Sequence, residues 1–310
     1  MLKMRLKRCF FLLLPVLFLL INASKVRALD YAGLSVSPPT FELSANPGDS
    51  LSNTIKVQNL SDESIRVVVD RRNFTAVGEE GSVDLTAEAS SFSLASWMSV
   101  FPTETEISPQ GIKIFTFWIN APLNAEPGGH FGSIVFRIAG QGQMRQTGAS
   151  VAQELATLVL LRVAGKTTEQ LNLESFSPQR KLLEYGPVEL VFRLRNQGNV
   201  HLKPRGTVTV TNLFGQKVAV LEIEPKNVIP GAIRKNSVFW DKKLLFGRYQ
   251  AIISLAYGTQ GKVLTGSTVF WGFPYRIGIP ILIVFLILLL LVIRGRKRLK
   301  LAIRVLLSGR

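Results

Sequence analysis

The 310-residue chain has one cysteine and two histidines. Cys9 has no second cysteine to pair with, so no intramolecular disulfide can form and an exported domain must rely on its core. His130 and His201 lie far apart in sequence, with no second histidine or cysteine near either. That excludes the usual zinc spacings and argues against a metal or other cofactor. A Gly-x-Ser-x-Gly elbow and a phosphate-cradling glycine loop are also missing. Acidic residues are absent from both ends: residues 1–28 carry six Lys and Arg, and residues 276–310 carry eight, with no Asp or Glu in either stretch. The net charge of +16 therefore sits mostly at the termini, and residues 29–275 balance 23 basic against 21 acidic side chains. A middle so nearly neutral argues against a nucleic-acid partner.

The termini have another use for their charge. Lys3, Arg5, Lys7 and Arg8 precede the short apolar run Phe10 to Ile21, and Val26-Arg27-Ala28 supplies a cleavage pattern. Residues 1–28 are expected to be a signal peptide. Near the other end, Ile277 to Ile293 form a hydrophobic run followed by Arg294, Arg296, Lys297, Arg298 and Lys300. A helix of that length crosses a bilayer core, and Trp271, Phe273 and Tyr275 suit the interface. Residues 271–293 are read as one transmembrane helix with its aromatic flank, and 294–310 as a basic cytoplasmic tail. The positive-inside rule then places everything before Trp271 outside the cell membrane.

Between these segments the pattern is that of strands. Ile55 and Val57, Ile65, Val67 and Val69, Val188 to Leu194, and Tyr249 to Leu255 all alternate with polar neighbours. Asn46-Pro47-Gly48, Asn59-Leu60-Ser61-Asp62, Asn196-Gln197-Gly198-Asn199 and Ile229-Pro230-Gly231 punctuate them. The expected fold class is all-β: two tandem immunoglobulin-like sandwiches, residues 29–165 and 166–270, followed by the helix. A weak repeat supports two copies of one plan. Asn59 matches Asn196, Pro109 matches Pro230, the strand to Trp118 matches that to Trp240, and Gly129-His130-Phe131 matches Gly247-Arg248-Tyr249. The first copy carries extra residues between Phe74 and Trp97, a long loop of the sort that binds ligands.

The order of features resembles the WxL-interacting protein family of bacterial surfaces. The stretches that carry the resemblance are Leu34-Ser35-Val36-Ser37-Pro38-Pro39-Thr40-Phe41-Glu42-Leu43, Asn46-Pro47-Gly48 and Pro127-Gly128-Gly129-His130-Phe131-Gly132, with 198–206 and Gly247-Arg248-Tyr249 in the second domain. The resemblance implies a peptidoglycan-binding first domain and a second domain that engages a protein. The first domain also resembles the amino-terminal domain of pilus chaperones, although their paired basic cleft residues find no match here.

Candidate binding residues follow. Arg71 and Arg72 end a strand where they could meet an anionic wall polymer. Trp97 follows the long loop and could stack on a sugar, with a core or inter-domain contact as the alternative. Gly128, Gly129 and His130 form a turn that admits close backbone approach. Glu79 and Glu80 are adjacent loop acids, better read as solvated than as a glycosidase pair. Residues Gly140 to Gly148 suggest a hairpin tip, beside which an edge strand could accept a partner strand. The function expected is non-enzymatic: a membrane-anchored extracellular binding or adhesion protein whose partner is cell-wall polymer or a surface protein. The alternative is a membrane-tethered, chaperone-like assembly factor for exported β-rich subunits.

Overall fold

A computed structural model describes residues 33–85, 88, 90–139 and 154–308, with side chains as far as residue 295. The proposed signal peptide, the 140–148 tip and the side chains of the basic tail from residue 296 onward lie outside the described residues. The chain folds as two β-sandwiches followed by one apolar helix, the all-β class that the alternation predicts.

In the first sandwich, β1 (Leu34–Ser37), β3 (Ser50–Asn59), β9 (Ile112–Asn120) and β7 (Met98–Phe101) form a four-stranded sheet in the order β1-β3-β9-β7. It faces a five-stranded sheet ordered β2-β11-β10-β4-β8, built from β2 (Thr40–Ala45), β11 (Glu154–Val163), β10 (Gly128–Ile138), β4 (Ile65–Asn73) and β8 (Glu104–Ile107). Alternate residues Ile55, Val57, Phe115, Phe117, Ile119, Ile134, Phe136, Val159 and Leu161 meet between the sheets and are fully buried. The extra residues after Phe74 form a small hairpin, β5 (Thr75–Val77) and β6 (Ser82–Asp84), followed by a 3-10 turn at Ala95–Trp97.

The second sandwich pairs a three-stranded sheet with a five-stranded one. β12 (Leu171–Pro178), β14 (Val188–Asn196) and β17 (Ile233–Trp240) form the first, ordered β12-β14-β17. The second, ordered β13-β19-β18-β15-β16, comprises β13 (Leu182–Leu183), β19 (Lys262–Gly272), β18 (Gly247–Tyr257), β15 (Arg205–Thr211) and β16 (Lys217–Ile223). Val188, Leu190, Phe192 and Leu194 point inward against Val208, Val210, Ala251, Ile253, Leu255 and Phe270. Trp240 closes this core edge-on to Tyr249, with ring centroids 5.1 Å apart.

The repeat is written into buried asparagines. Asn59 donates through Nδ2 to the carbonyls of Glu63, Ile107 and Ser108, at 2.7, 3.1 and 3.0 Å. Its Oδ1 accepts the amide of Ser61 at 2.9 Å. Asn196 does the same: Nδ2 reaches the carbonyls of Val200 and Val228, both at 2.8 Å, and Oδ1 accepts the amide of Gly198 at 2.9 Å. The backbone amides complete the match, Asn59 to the Gly111 carbonyl and Asn196 to that of Ala232. In each sandwich one side chain therefore ties two loops together by an Asx turn whose remaining donors are satisfied inside.

Register corrects the other landmarks by one residue. With Gly111 matched to Ala232, Trp118 corresponds to Phe239, not Trp240. Trp118 lies between the fully buried Phe117 and Ile119 and so faces outward, partly covered, whereas Trp240 faces the core. Similarly β10 opens at Gly128 and β18 at Gly247, both with positive φ, so His130 matches Tyr249 and Phe131 turns away from the first core. A one-residue slip inverts the face a side chain occupies, and alternation alone does not reveal it.

The strand β19 continues through Trp271 to Gly272, so Trp271 belongs to the sandwich. After Phe273 and Pro274 the helix α1 (Tyr275–Ser308) begins. Its segment Tyr275–Gly295, with mean hydropathy 3.0, is long and apolar enough to cross a membrane.

Candidate functional site

The two sandwiches meet at a junction built largely by the hairpin β5–β6. Its turn reaches across to β17, the edge strand of the three-stranded sheet. The carbonyl of Glu79 accepts the Lys235 amide at 2.8 Å. The Glu79 carboxylate takes two hydrogen bonds from the Arg193 guanidinium, one at 2.7 Å from Nε, and Glu80 pairs with Lys235 at 3.1 Å. The Arg193 hydrogen bonds hold the Glu79 carboxyl below its usual range. Gly81 has φ +89°, and a Cβ there would strike the Arg234 guanidinium. The long loop is thus a clamp that also covers an edge strand, a common protection against unwanted pairing.

Beneath the clamp, Phe74, Phe131 and Leu160 form a small separate core, with Val83, Leu85, Leu158 and Ile229 packed against it. Phe131, 3% exposed, touches the rings of Phe74, Phe92 and His201 at centroid distances of 5.9, 6.2 and 6.0 Å. The other side of the junction is polar. Gly129 donates its amide to the Asn199 carbonyl at 2.7 Å, and Asn199 Nδ2 returns a bond to the Pro127 carbonyl at 3.1 Å. Gly128 has φ +140°, and a Cβ there would lie 2.8 Å from the Asn199 carbonyl oxygen. Glu42 of β2 accepts from Lys203 at 2.6 Å and Asn227 at 2.8 Å. Glu169 accepts from Arg162 at 2.7 Å and from the Thr259 amide at 2.8 Å. Burial pushes both carboxyls up, but these hydrogen bonds and cations outweigh it and leave each below the ordinary carboxylate range. His201 is driven the other way from protonation: burial lowers its pKa, and Glu42 only partly opposes this.

Between the clamp and the segment 226–234 lies a cavity of about 280 Å³. Its walls are mainly apolar, including Phe74, Val83, Leu158, Leu160 and Ile233, with Asn227 and Arg234 among the polar residues. Asn227 Oδ1 and Arg234 Nε, like His201 Nδ1 and Asn236 Oδ1, are buried without a hydrogen-bond partner among the described residues. These atoms have almost no accessible surface, so they lie behind the wall, and what the cavity offers an occupant is mainly apolar side chains. Among the described residues no group of three His, Cys, Asp or Glu could hold a metal ion.

The residues singled out from sequence are spread over the first sandwich and the junction. The Trp97 ring is tilted against that of His130 with centroids 4.3 Å apart and packs against the first core, so its contact is with the core and not with solvent. Both His130 ring nitrogens face backbone carbonyls, Nε2 that of Glu126 at 2.9 Å and Nδ1 that of Ser93 at 3.3 Å. Gly128 and Gly129 do admit a close backbone, and it is that of Asn199. Arg71 reaches the Met98 carbonyl, while Arg72 binds Glu154 at 2.9 Å and Asp70 at 3.2 Å. Glu79 and Glu80 form the clamp. Asn227 and Arg234 were not anticipated. A signal for Arg234 was present: it shares the inward parity of Val238 and Trp240 on β17, where a charged residue needs a reason.

No protein-family model matches the chain, and no curated protein does. Among solved structures it is similar to the class 5 fimbriae chaperone CfaA, at 13% identity and a TM-score of 0.40, over 77% of this chain and 99% of that one. A chaperone–tip adhesin complex of CFA/I fimbriae biogenesis gives 12% identity and 0.39, over 77% and 99%. The Pseudomonas aeruginosa CupB2 chaperone gives 10% identity and 0.35, over 76% and 100%.

Proposed function

We propose that the protein is a membrane-anchored, non-catalytic binder that holds a segment of another exported, β-rich polypeptide at the junction of its two sandwiches. The observation that carries this is the mainly apolar cavity of about 280 Å³ between the clamp and the segment 226–234. Apolar side chains of a bound segment would fill that space. The adjacent β11 adds a backbone edge. Its partner β2 covers only Leu158–Val163, and Thr157 is buried against Pro38, so residues 154–156 run beyond this cover and offer a short place for strand addition. A binding role also suits the histidines, one engaged by backbone carbonyls and the other buried against Phe131. The basic residues after Ile293 support an outward-facing pair of sandwiches held by α1.

Cell-wall polymer is the second reading. The resemblance to WxL-interacting proteins points to it. Phe101, Ile112 and Ile114, exposed beside the partly covered Trp118 on the outer face of the first four-stranded sheet, offer a flat apolar surface for sugar rings. Photo-crosslinking from Ala76 in intact cells, followed by mass spectrometry of the adducts, tests the proposal. An exported polypeptide crosslinked in the wild type and lost in L158W, whose larger side chain fills the cavity, supports it. Adducts of wall fragments alone favour the second reading, and no adduct at all removes the cavity as a binding site.

A further inference from the structure

The second sandwich has two ends. One is occupied by the first sandwich, through the loops around Asn199, Asn227 and Thr259. The other is the end from which α1 leaves, and strand register fixes what it displays. Gly247 pairs with Gly272, two residues before Pro274, so the loop 241–246 lies level with the start of the helix. Thr211 pairs with Gln250, and the three residues on to Phe214 span about 10 Å, enough to bring that turn to the same level. Leu182 pairs with Trp271, bringing the loop 179–187 there too.

These loops expose Leu213 and Phe214 (84%), Leu244 (70%) and Phe246 (76%), beside Trp271 and Phe273 at the strand end. Arg180, Lys181 and Lys243 are exposed among them. Single exposed apolar residues are ordinary, but six gathered on two loops and a strand end at one end of a domain form a patch that calls for a partner. The orientation of this end is fixed. Phe273 donates to the Leu183 carbonyl and Trp271 to that of Lys181, both at 2.8 Å. Arg276, in the first turn of α1, donates its amide to Glu184 at 2.7 Å and pairs with it through Nε at 3.2 Å.

We propose that this end of the second sandwich is a lipid-docking surface seated on the outer leaflet of the bilayer that α1 crosses. Phe214, Leu244 and Phe246 enter the boundary between headgroups and acyl chains, Trp271 and Phe273 lie at headgroup level, and Arg180, Lys181 and Lys243 meet lipid phosphates. The occupant follows from continuity, since the patch surrounds the point where the spanning segment begins. The inference rests on the reading of Tyr275–Gly295 as a span.

The test uses the full chain in vesicles of phosphatidylglycerol and phosphatidylcholine with bromine on the upper acyl carbons. In a W271F background, whose remaining Trp97, Trp118 and Trp240 give the signal to be subtracted, F246W and F214W report the loops and L286W reports the helix. Seating predicts that brominated lipid quenches the F246W and F214W indoles, that their emission shifts to the blue, and that replacing Arg180, Lys181 and Lys243 by Gln weakens the quenching. If L286W is quenched while F246W and F214W are not, the helix is inserted and the sandwich stands off, which overturns the proposal alone. If L286W is also unquenched, the spanning reading fails and the docking surface fails with it.

Discussion

Replacing Phe131 by alanine should separate the two sandwiches without unfolding either. The ring lies on the face of β10 turned away from the first core, and its neighbours are Phe74, Leu160, His201 and Ile229, so its loss falls on the junction. A buried Phe→Ala substitution costs about 3–5 kcal/mol. The value here should lie near about 3 kcal/mol, because the void joins a 160 Å³ opening that Phe131 already lines and water can enter it. That is about a hundredfold in the equilibrium for opening the junction. Hydrogen exchange in detergent micelles reads it directly. The hairpin 75–84 and the segment 226–234 should lose protection by about that factor, while β9 and β14 keep theirs. Phe131→Leu should cost less than about 1.5 kcal/mol. Equal loss of protection in both cores, or a change under about 1 kcal/mol, would refute the picture of a separate junction core.

Three further expectations follow from the same geometry. Asn59→Ala and Asn196→Ala should each destabilise their own sandwich by about 2–3 kcal/mol, since buried carbonyls lose their donors, and urea unfolding followed by domain-resolved exchange assigns the loss. Gly128→Ala should destabilise the junction by about 2 kcal/mol through a strained φ and contact with the Asn199 carbonyl, whereas Gly215→Ala, in open space, should cost less when the two are compared by thermal unfolding. Junction protection should also depend on pH in two stages. His201 is held below its ordinary 6.5, so the unfolded chain takes up a proton that the folded chain refuses, and stability drains as pH falls below about 6.5. Glu42 and Glu169, with lowered values, contribute stability above their ordinary 4.5 that is lost as pH falls through their folded values. His201→Phe should remove the first stage and leave the second, as measured by exchange between pH 7.5 and 3.5.

What the sequence determined on its own is what depends on near neighbours along the chain. Alternation set the strands and the all-β class, turn chemistry set the loops, and the apolar run set α1. The paired asparagines gave the repeat because an Asx turn is a local structure. Facing and contact needed the tertiary fold. Trp118 and Trp240 look equivalent in sequence, but one residue of register puts the first outward and the second in the core. The insertion after Phe74 read as a ligand loop, and Glu79 and Glu80 as solvated acids, because nothing nearby in sequence announces that Arg193 and Lys235 stand opposite. Gly128 and Gly129 were legible as a place of close approach, and only the packing showed that the visitor is Asn199. The cavity is walled by Thr40 and by the segments 74–83, 158–160 and 226–234, which no local pattern brings together. Periodicity records which residues want to be buried; only strand pairing between distant segments decides what covers them.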